Sequence, residues 1–248
     1  MKVFSVVGFT KSGKTTTIEH IIKELKKRGY SVGSVKEIHF EEFQIDTEGS
    51  NTYRHMQAGS EMVVARGFEE TDILFPRRLD IYDILKFFDT DFVILESVVD
   101  VNAPKIITAK TEDDIKAKQD GTEILISGVI ADSQNKALGI KAISALSNIE
   151  GLVDYIEQHV FNLLPAFDVK CCGKCGMSCK ELLMAINRGE KKRSDCVLDR
   201  VKVTLTIGDK PIAMVPFVQH ILKNNILAVA KELDGYEENK RVEVKIEK

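Results

Sequence analysis

Outside residues 171–196 this chain of 248 residues has no cysteine; all five lie within that window. A disulfide scaffold would spread its cysteines along the chain, so that class is excluded, and the clustering points to metal binding in a reducing compartment. No apolar run is long enough to span a bilayer. The short apolar start after Met1 is cut off at Gly8, too soon for a signal peptide, so a cytoplasmic location without a membrane partner is expected. There is no long basic stretch, and the formal net charge is −3, which argues against nucleic acid as the main partner. Of the two short basic runs, Lys26-Lys27-Arg28 reads as a solvated helix end, and Lys191-Lys192-Arg193 lies close enough to the cysteines to serve as a docking patch. Internal repeats and low-complexity tracts are also missing. What the chain does have is a hydrophobic fraction of 44%, ample for one large domain or for a larger and a smaller one.

The most informative stretch is Gly8-Phe9-Thr10-Lys11-Ser12-Gly13-Lys14-Thr15, a G-x4-G-K-T loop. Residues 2–7 before it are apolar and β-branched, as in a buried parallel strand. Residues 15–28 after it carry Ile18, Ile21, Ile22 and Leu25 on one helical face, and Gly29 stops the helix. Gly8 and Gly13 let the backbone curl so that several N–H groups point into one concavity. The helix start adds unpaired N–H groups and the positive end of its dipole. Lys14 can reach the β- and γ-phosphates, and the Thr15 hydroxyl can ligate Mg²⁺. Ser12 and Thr16 complete the phosphate-binding stretch. Lys11 either touches phosphate or is a solvated loop lysine.

Strands and helices then alternate. Strands are expected at residues 31–36, 61–66, 92–95, 105–109 and 124–130, and helices at 51–58, 78–88 and 152–164. That alternation predicts an α/β P-loop NTPase fold, a mainly parallel sheet covered by helices on both faces, over residues 1–165. A cysteine-rich metal or iron–sulfur segment follows at 166–200. A small α+β region at 201–248 contains a hairpin around Gly208-Asp209-Lys210, a helix at 217–233 and a last strand at 241–246.

Two further places bear on chemistry. Residues 92–95 are wholly apolar and end on Glu96. At the carboxyl end of a parallel strand in a P-loop fold, an acid faces the Mg²⁺ shell, which makes Glu96 a candidate catalytic and metal-shell residue, with Asp100 a weaker one. The polar loop at 37–50 can bring Asp46 to the Mg²⁺ and Arg54 to phosphates, or it is a solvated surface loop; the spacing favours neither. Asp132, closing Ser127-Gly128-Val129-Ile130-Ala131-Asp132, can accept from a guanine ring or form a turn. No N-K-x-D element is evident.

Several of these stretches together resemble the molybdopterin-guanine dinucleotide biosynthesis protein B (MobB) family. They are the P-loop with Thr15-Thr16, R-G-Y-x-V-G-x-V-K at residues 28–36, the stretch from His39 to Asp46, Y-R-H-x-x-A-G at 53–59, the acid-ended strand at Glu96, and Pro104-Lys105-Ile106. The likeness covers about the first two-thirds of the chain. Where that family typically has a histidine-rich stretch after the second strand, Glu37 follows Lys36 here, and Ser97 replaces its usual glycine after the strand-end glutamate. The resemblance implies a GTP-binding protein, often dimeric, that assists attachment of GMP to molybdopterin and hydrolyses GTP slowly. Molybdopterin and the molybdopterin guanylyltransferase are the partners it implies.

In the cysteine segment, Cys172 and Cys175 form a C-x-x-C loop, Cys179 lies one turn on, and Cys196 closes the set. Four thiolates suit a [4Fe–4S] cluster or tetrahedral Zn²⁺. The run C-G-x-C-G-x-x-C, a helix-like stretch, then a lone cysteine resembles the cluster domain of corrinoid iron–sulfur proteins, although that module has four residues rather than three between its second and third cysteines. The resemblance favours the cluster, with Cys172, Cys175, Cys179 and Cys196 as ligands and Cys171 as a spare. Such a centre can sense redox state, donate electrons, or simply staple a small domain. The competing functions are therefore a GTP-binding accessory protein of molybdenum-cofactor maturation, a redox-coupled P-loop ATPase or metallochaperone, and a binding module with a degenerate nucleotide site.

Overall fold

A computed structural model describes residues 1–40, 43–165, 175–196, 203, 205–208, 210–212, 214, 216–237, 242–244 and 246. The chain forms two compact units, Met1–Leu163 and Leu164–Lys248.

The first unit is built on a five-stranded parallel sheet. Its strands are β1 (Lys2–Gly8), β2 (Val32–Lys36), β5 (Phe92–Glu96), β6 (Lys105–Thr108) and β7 (Glu123–Ser127), in the order β2-β5-β1-β6-β7. The central strands are buried along their length, which is why they read as continuous apolar runs rather than alternating ones. On one face α1 (Lys14–Lys27) and α5 (Ile149–His159) bring Ile18, Ile21, Leu25, Leu152, Val153 and Ile156 onto Phe4, Val6, Phe92 and Ile94. The opposite face has Val3, Val93 and Leu95 under Ile81 and Leu85 of α3 (Ile81–Leu85), and Val7, Ile107 and Ile126 under Ile115 of α4 (Glu112–Lys116). Burying one such aliphatic side chain contributes about 1.5–3 kcal/mol, so these layers supply most of the favourable free energy.

Arg28 just past α1 is no solvated helix end. Its guanidinium meets Glu24 at 2.9 Å and both Asp154 and Glu157 of α5 at 2.7 Å. Lys27 adds an exposed pair with Glu150. At the opposite end of the sheet from the P-loop, the Lys105 ammonium is buried and paired with Asp120 at 2.6 Å.

The structure departs from the sequence expectation in several elements. The strand expected at 61–66 is β3 (Val63–Arg66), which pairs antiparallel with β4 (Thr71–Leu74) outside the main sheet. Its Val63 is buried while Val64 is half exposed, the alternation of a one-sided ribbon. The helix expected at 78–88 shrinks to α3, capped by Asp80, whose side chain accepts from the Tyr82 N–H. Short α4 and the small hairpin of β8 (Lys136–Ala137) and β9 (Ile140–Lys141) were not anticipated. α2 (Asn51–Gln57) forms as expected, with Ser50 as its N-cap and Gly59 beyond it at φ 100°.

In the second unit, helix Cys179–Asn187 starts from a Ser178/Glu181 capping box and buries Leu182, Leu183 and Ala185. An antiparallel hairpin joins Leu205–Ile207 to Lys210–Ile212, and helix Pro216–Lys231 follows. Residues 242–244 and 246, expected in a last strand, are not in one. No described helix is long and apolar enough to cross a membrane.

Asp120→Ala strands the Lys105 ammonium in a dry setting. It should lower unfolding free energy by about 3 kcal/mol, measured as a reduced urea midpoint at unchanged slope.

Candidate nucleotide-binding site

The loop between β1 and α1 lies at the carboxyl ends of the strands, where open parallel sheets take ligands. Its tight path depends on residues without a side chain. A Cβ on Gly8 would sit 2.2 Å from the Thr108 carbonyl oxygen. Gly13, the N-cap of α1, has φ 93°, and Lys11 also adopts a left-handed φ of 62°. The Ser12 hydroxyl is buried and shares a 2.8 Å hydrogen bond with that of Thr108, so this side chain fastens the loop to β6 rather than facing the mouth. From the next strand along, the Val129 N–H donates to the Ser12 carbonyl at 3.3 Å. The preceding Gly128, at φ 76°, approaches so closely that a Cβ would lie 2.1 Å from that same oxygen.

Lys14 folds over this loop, donating to the carbonyls of Gly8 at 2.8 Å and Phe9 at 2.7 Å. Burial lowers its pKa below the usual lysine value; Glu96 opposes that shift, and nearby Lys36 and Lys118 add to it. Lys118 also stands over the Phe9 ring, 4.5 Å from its centroid. The rim is thus positively charged, as a polyphosphate site requires. Thr15 and Thr16, in the first turn of α1, are exposed.

Glu96 arrives beside the P-loop because β5 neighbours β1, with Val6 opposite Glu96. Its Oε1 accepts from the Thr15 hydroxyl at 3.4 Å and from Lys36 Nζ at 2.7 Å. Lys36 comes from the last position of β2, in register with Glu96. The strand-end Lys36 was visible in the sequence, but its pairing needed the strand order. Next to Glu96, Ser97 turns at φ 64°, and its N–H donates to the Val6 carbonyl at 2.9 Å.

The other expected acids, Asp46 and Asp100, make their polar contacts with neighbouring residues. Asp46 Oδ1 accepts from Ser50 Oγ, Thr52 Oγ1 and the Thr47 N–H, which holds its carboxyl below the usual range, Ser50 contributing most. These bonds brace the start of α2, while Asp46 Oδ2 is buried with no hydrogen-bond partner among the described residues. Asp100 lies 3.8 Å from Arg78, which pairs more closely with Glu37 at 2.9 Å.

The residues present fit a nucleotide with Mg²⁺. The glycine-lined concavity leaves no room for side chains, and Thr15 and Glu96 offer the oxygen donors a hard cation takes. The cysteines give no equivalent support. Cys171 and Cys172 lie outside the described residues. Cys196 is buried, Cys175 Sγ lies 3.5 Å from the Met177 carbonyl oxygen, and Cys179 opens its helix. Among the described residues no group of three or more His, Cys, Asp or Glu side chains could hold a metal ion.

Ser97 pays a left-handed backbone penalty that glycine would not. Ser97→Gly should raise stability by up to about 1 kcal/mol in urea unfolding while leaving the Thr15–Glu96 cluster in place.

Comparison with known proteins agrees with this geometry. The family model for molybdopterin guanine dinucleotide synthesis protein B, MobB, matches residues 3–132. A protein of Methanocaldococcus jannaschii is 30% identical over 254 aligned positions, covering 100% of this chain and 98% of its own length. One from Bacillus subtilis is 31% identical over 121, covering 47% of this chain and 70% of its own length. Both carry provisional names as molybdopterin-guanine dinucleotide biosynthesis adapter proteins. The crystal structure of Bacillus subtilis MobB superposes with a TM-score of 0.54 at 25% identity, over 65% of this chain and 99% of that one. With a P-loop, a strand-end glutamate and a parallel sheet in the matching arrangement, the chain belongs to the MobB family.

Proposed function

We propose that this chain is a GTP-binding accessory protein of molybdenum-cofactor biosynthesis, assisting attachment of GMP to molybdopterin. The observation that carries the reading is the cluster of Lys14, Thr15 and Glu96 over a concavity that only glycine permits, in a chain whose relatives are named as adapters of that process. Lys14 is already in the loop, held by two carbonyls, and exchanges them for phosphate oxygens when GTP binds. Thr15 and Glu96 would hold Mg²⁺, which would neutralise phosphate charge, and Lys36 balances the Glu96 carboxylate. Asp46, whose Oδ1 braces α2 and whose buried Oδ2 has no hydrogen-bond partner among the described residues, stays in the proposed catalytic set with Lys14 and Glu96. Turnover is proposed to be slow, which suits an adapter better than a fast GTPase. The proposal includes a homodimer in the cytoplasm and a guanylyltransferase as partner.

For the second unit we propose a [4Fe–4S] cluster, with Zn²⁺ as the alternative, on Cys172, Cys175, Cys179 and Cys196. Its support is the sequence spacing and the reducing-compartment pattern of the cysteines.

Anaerobic calorimetry with Mg²⁺ and either GTP or ATP tests the nucleotide. Preference for GTP is expected, and Lys14→Ala should cut its affinity by roughly a hundredfold, the cost of about two charge-assisted hydrogen bonds. An ATP preference would favour the redox-coupled ATPase or metallochaperone instead. For the metal, Cys196→Ala should remove iron and acid-labile sulfide together, by chemical analysis of anaerobically purified protein. Zinc in the parent protein would select the alternative, and retention of both iron and sulfide would strike Cys196 from the ligand set.

A further inference from the structure

A cavity of about 1000 Å³ opens on the first unit, separate from the P-loop but joined to it by one short turn. β7 ends at Ser127, and Gly128 redirects the chain into a 3₁₀ turn over Val129–Asp132. The turn begins on the P-loop, through the hydrogen bond from Val129 to Ser12, and ends at Asp132 on the cavity wall. At a rise of about 2 Å per residue, three residues put these ends roughly 6 Å apart along the turn. This short turn is the direct link between the P-loop and the cavity wall.

The opposite wall is the chain returning from the β8–β9 hairpin. Ala142 bridges Ile126 in parallel, the Ile143 N–H donates to Ile126 at 3.0 Å, and Ser127 Oγ donates to Ile143 at 2.8 Å. This extension of the sheet ends on buried Ser144, so Asp132 and Ser144 meet at the carboxyl end of neighbouring strands. Ser144 Oγ donates to Asp132 Oδ1 and accepts from the N–H groups of Leu146 at 3.1 Å and Ser147 at 3.2 Å. The carboxylate is thus fixed by one oxygen, while Oδ2 has no hydrogen-bond partner among the described residues. Ala131, Ala142 and Ile143 lie buried behind a lining that is otherwise mainly polar.

We propose that Asp132 is the residue that selects guanine, accepting hydrogen bonds from the N1–H and the exocyclic 2-amino group of the base. This rests on the GTP reading above and assigns the base a position that reading lacks. The chemistry discriminates in both directions. Guanine presents two adjacent donors to a carboxylate, whereas adenine turns an N1 lone pair and a C–H toward it, which leaves the charge unpaired and repelled.

The test is calorimetric titration of the whole protein and of Asp132→Asn with the Mg²⁺ complexes of GTP, ATP and xanthosine triphosphate. Asparagine keeps an oxygen for Ser144 but replaces the other with an amide donor, which matches the C2 carbonyl of xanthine and opposes the guanine amino group. The variant should lose at least about tenfold in GTP affinity and gain a comparable factor for xanthosine triphosphate. A gain of binding cannot come from misfolding. A parent protein that prefers GTP, with a variant that keeps that preference, overturns the inference and leaves the GTP reading standing. A variant that loses all three nucleotides alike, with no gain for xanthosine triphosphate, overturns it as well. A parent protein that binds ATP as well as GTP removes the reading and the inference together.

Discussion

Backbone pressed against backbone around one loop is the constraint from which the first unit follows. Gly8 lies against Thr108 and Gly128 against Ser12, at separations that exclude even a methyl group. Three successive strands, β1, β6 and β7, are thereby locked at their carboxyl ends, and the Ser12–Thr108 hydroxyl pair closes the same seam from within. A phosphate cradle is made of N–H groups, so its precision is the precision of the main chain. Here that precision comes from the neighbouring strands rather than from the loop itself. The left-handed Lys11 and Ser97 are part of the same arrangement, since sharp reversals at strand ends need such conformations and the surrounding hydrogen bonds hold them.

Charge is organised around the seam in a second layer. The parallel register sets Lys36 beside Glu96, and Glu96 beside the start of α1, so a strand-end acid enters the site with its charge already balanced. Lys14 feels the charges of Lys36 and Lys118 on one side of the balance and of Glu96 on the other. Such a rim attracts a polyanion at a distance, and the glutamate offers a cation a place beside it.

The sequence disclosed what depends on local pattern. The P-loop, the buried strands around it, Glu96 at a strand end and the capped α2 all carry their signal within a few residues, and family resemblance strengthened the same stretches. Features that depend on pairing were hidden. Residues 63–66 have the composition of any short strand, and nothing nearby reveals that they pair with 71–74 instead of joining the sheet. Ser12 looks like a phosphate ligand in the motif but turns inward once Thr108 arrives beside it. Asp46 and Asp132 are ambiguous acids in the sequence, and the hydroxyl groups that hold them, Ser50 and Thr52 for the first and Ser144 for the second, are not legible there. The basic end of α1 looked solvated because the acids that take it up lie more than a hundred residues later. Short α4, with a single buried aliphatic residue, lacks the length from which a helical period can be read.

The Arg28 clamp bears on the site from its far side. α1 starts in the phosphate loop and, at its other end, is bound through Arg28 to α5, whose first residues follow directly on the Ser144–Ser147 turn. Loop, helix, clamp and turn therefore form a closed frame, with the sheet as its fifth side. The gap between the phosphate cradle and the cavity is in effect the opening of a caliper whose jaws cannot drift independently. On the nucleotide reading proposed above, a molecule too short to touch both jaws gains only one set of contacts, whatever the quality of either end.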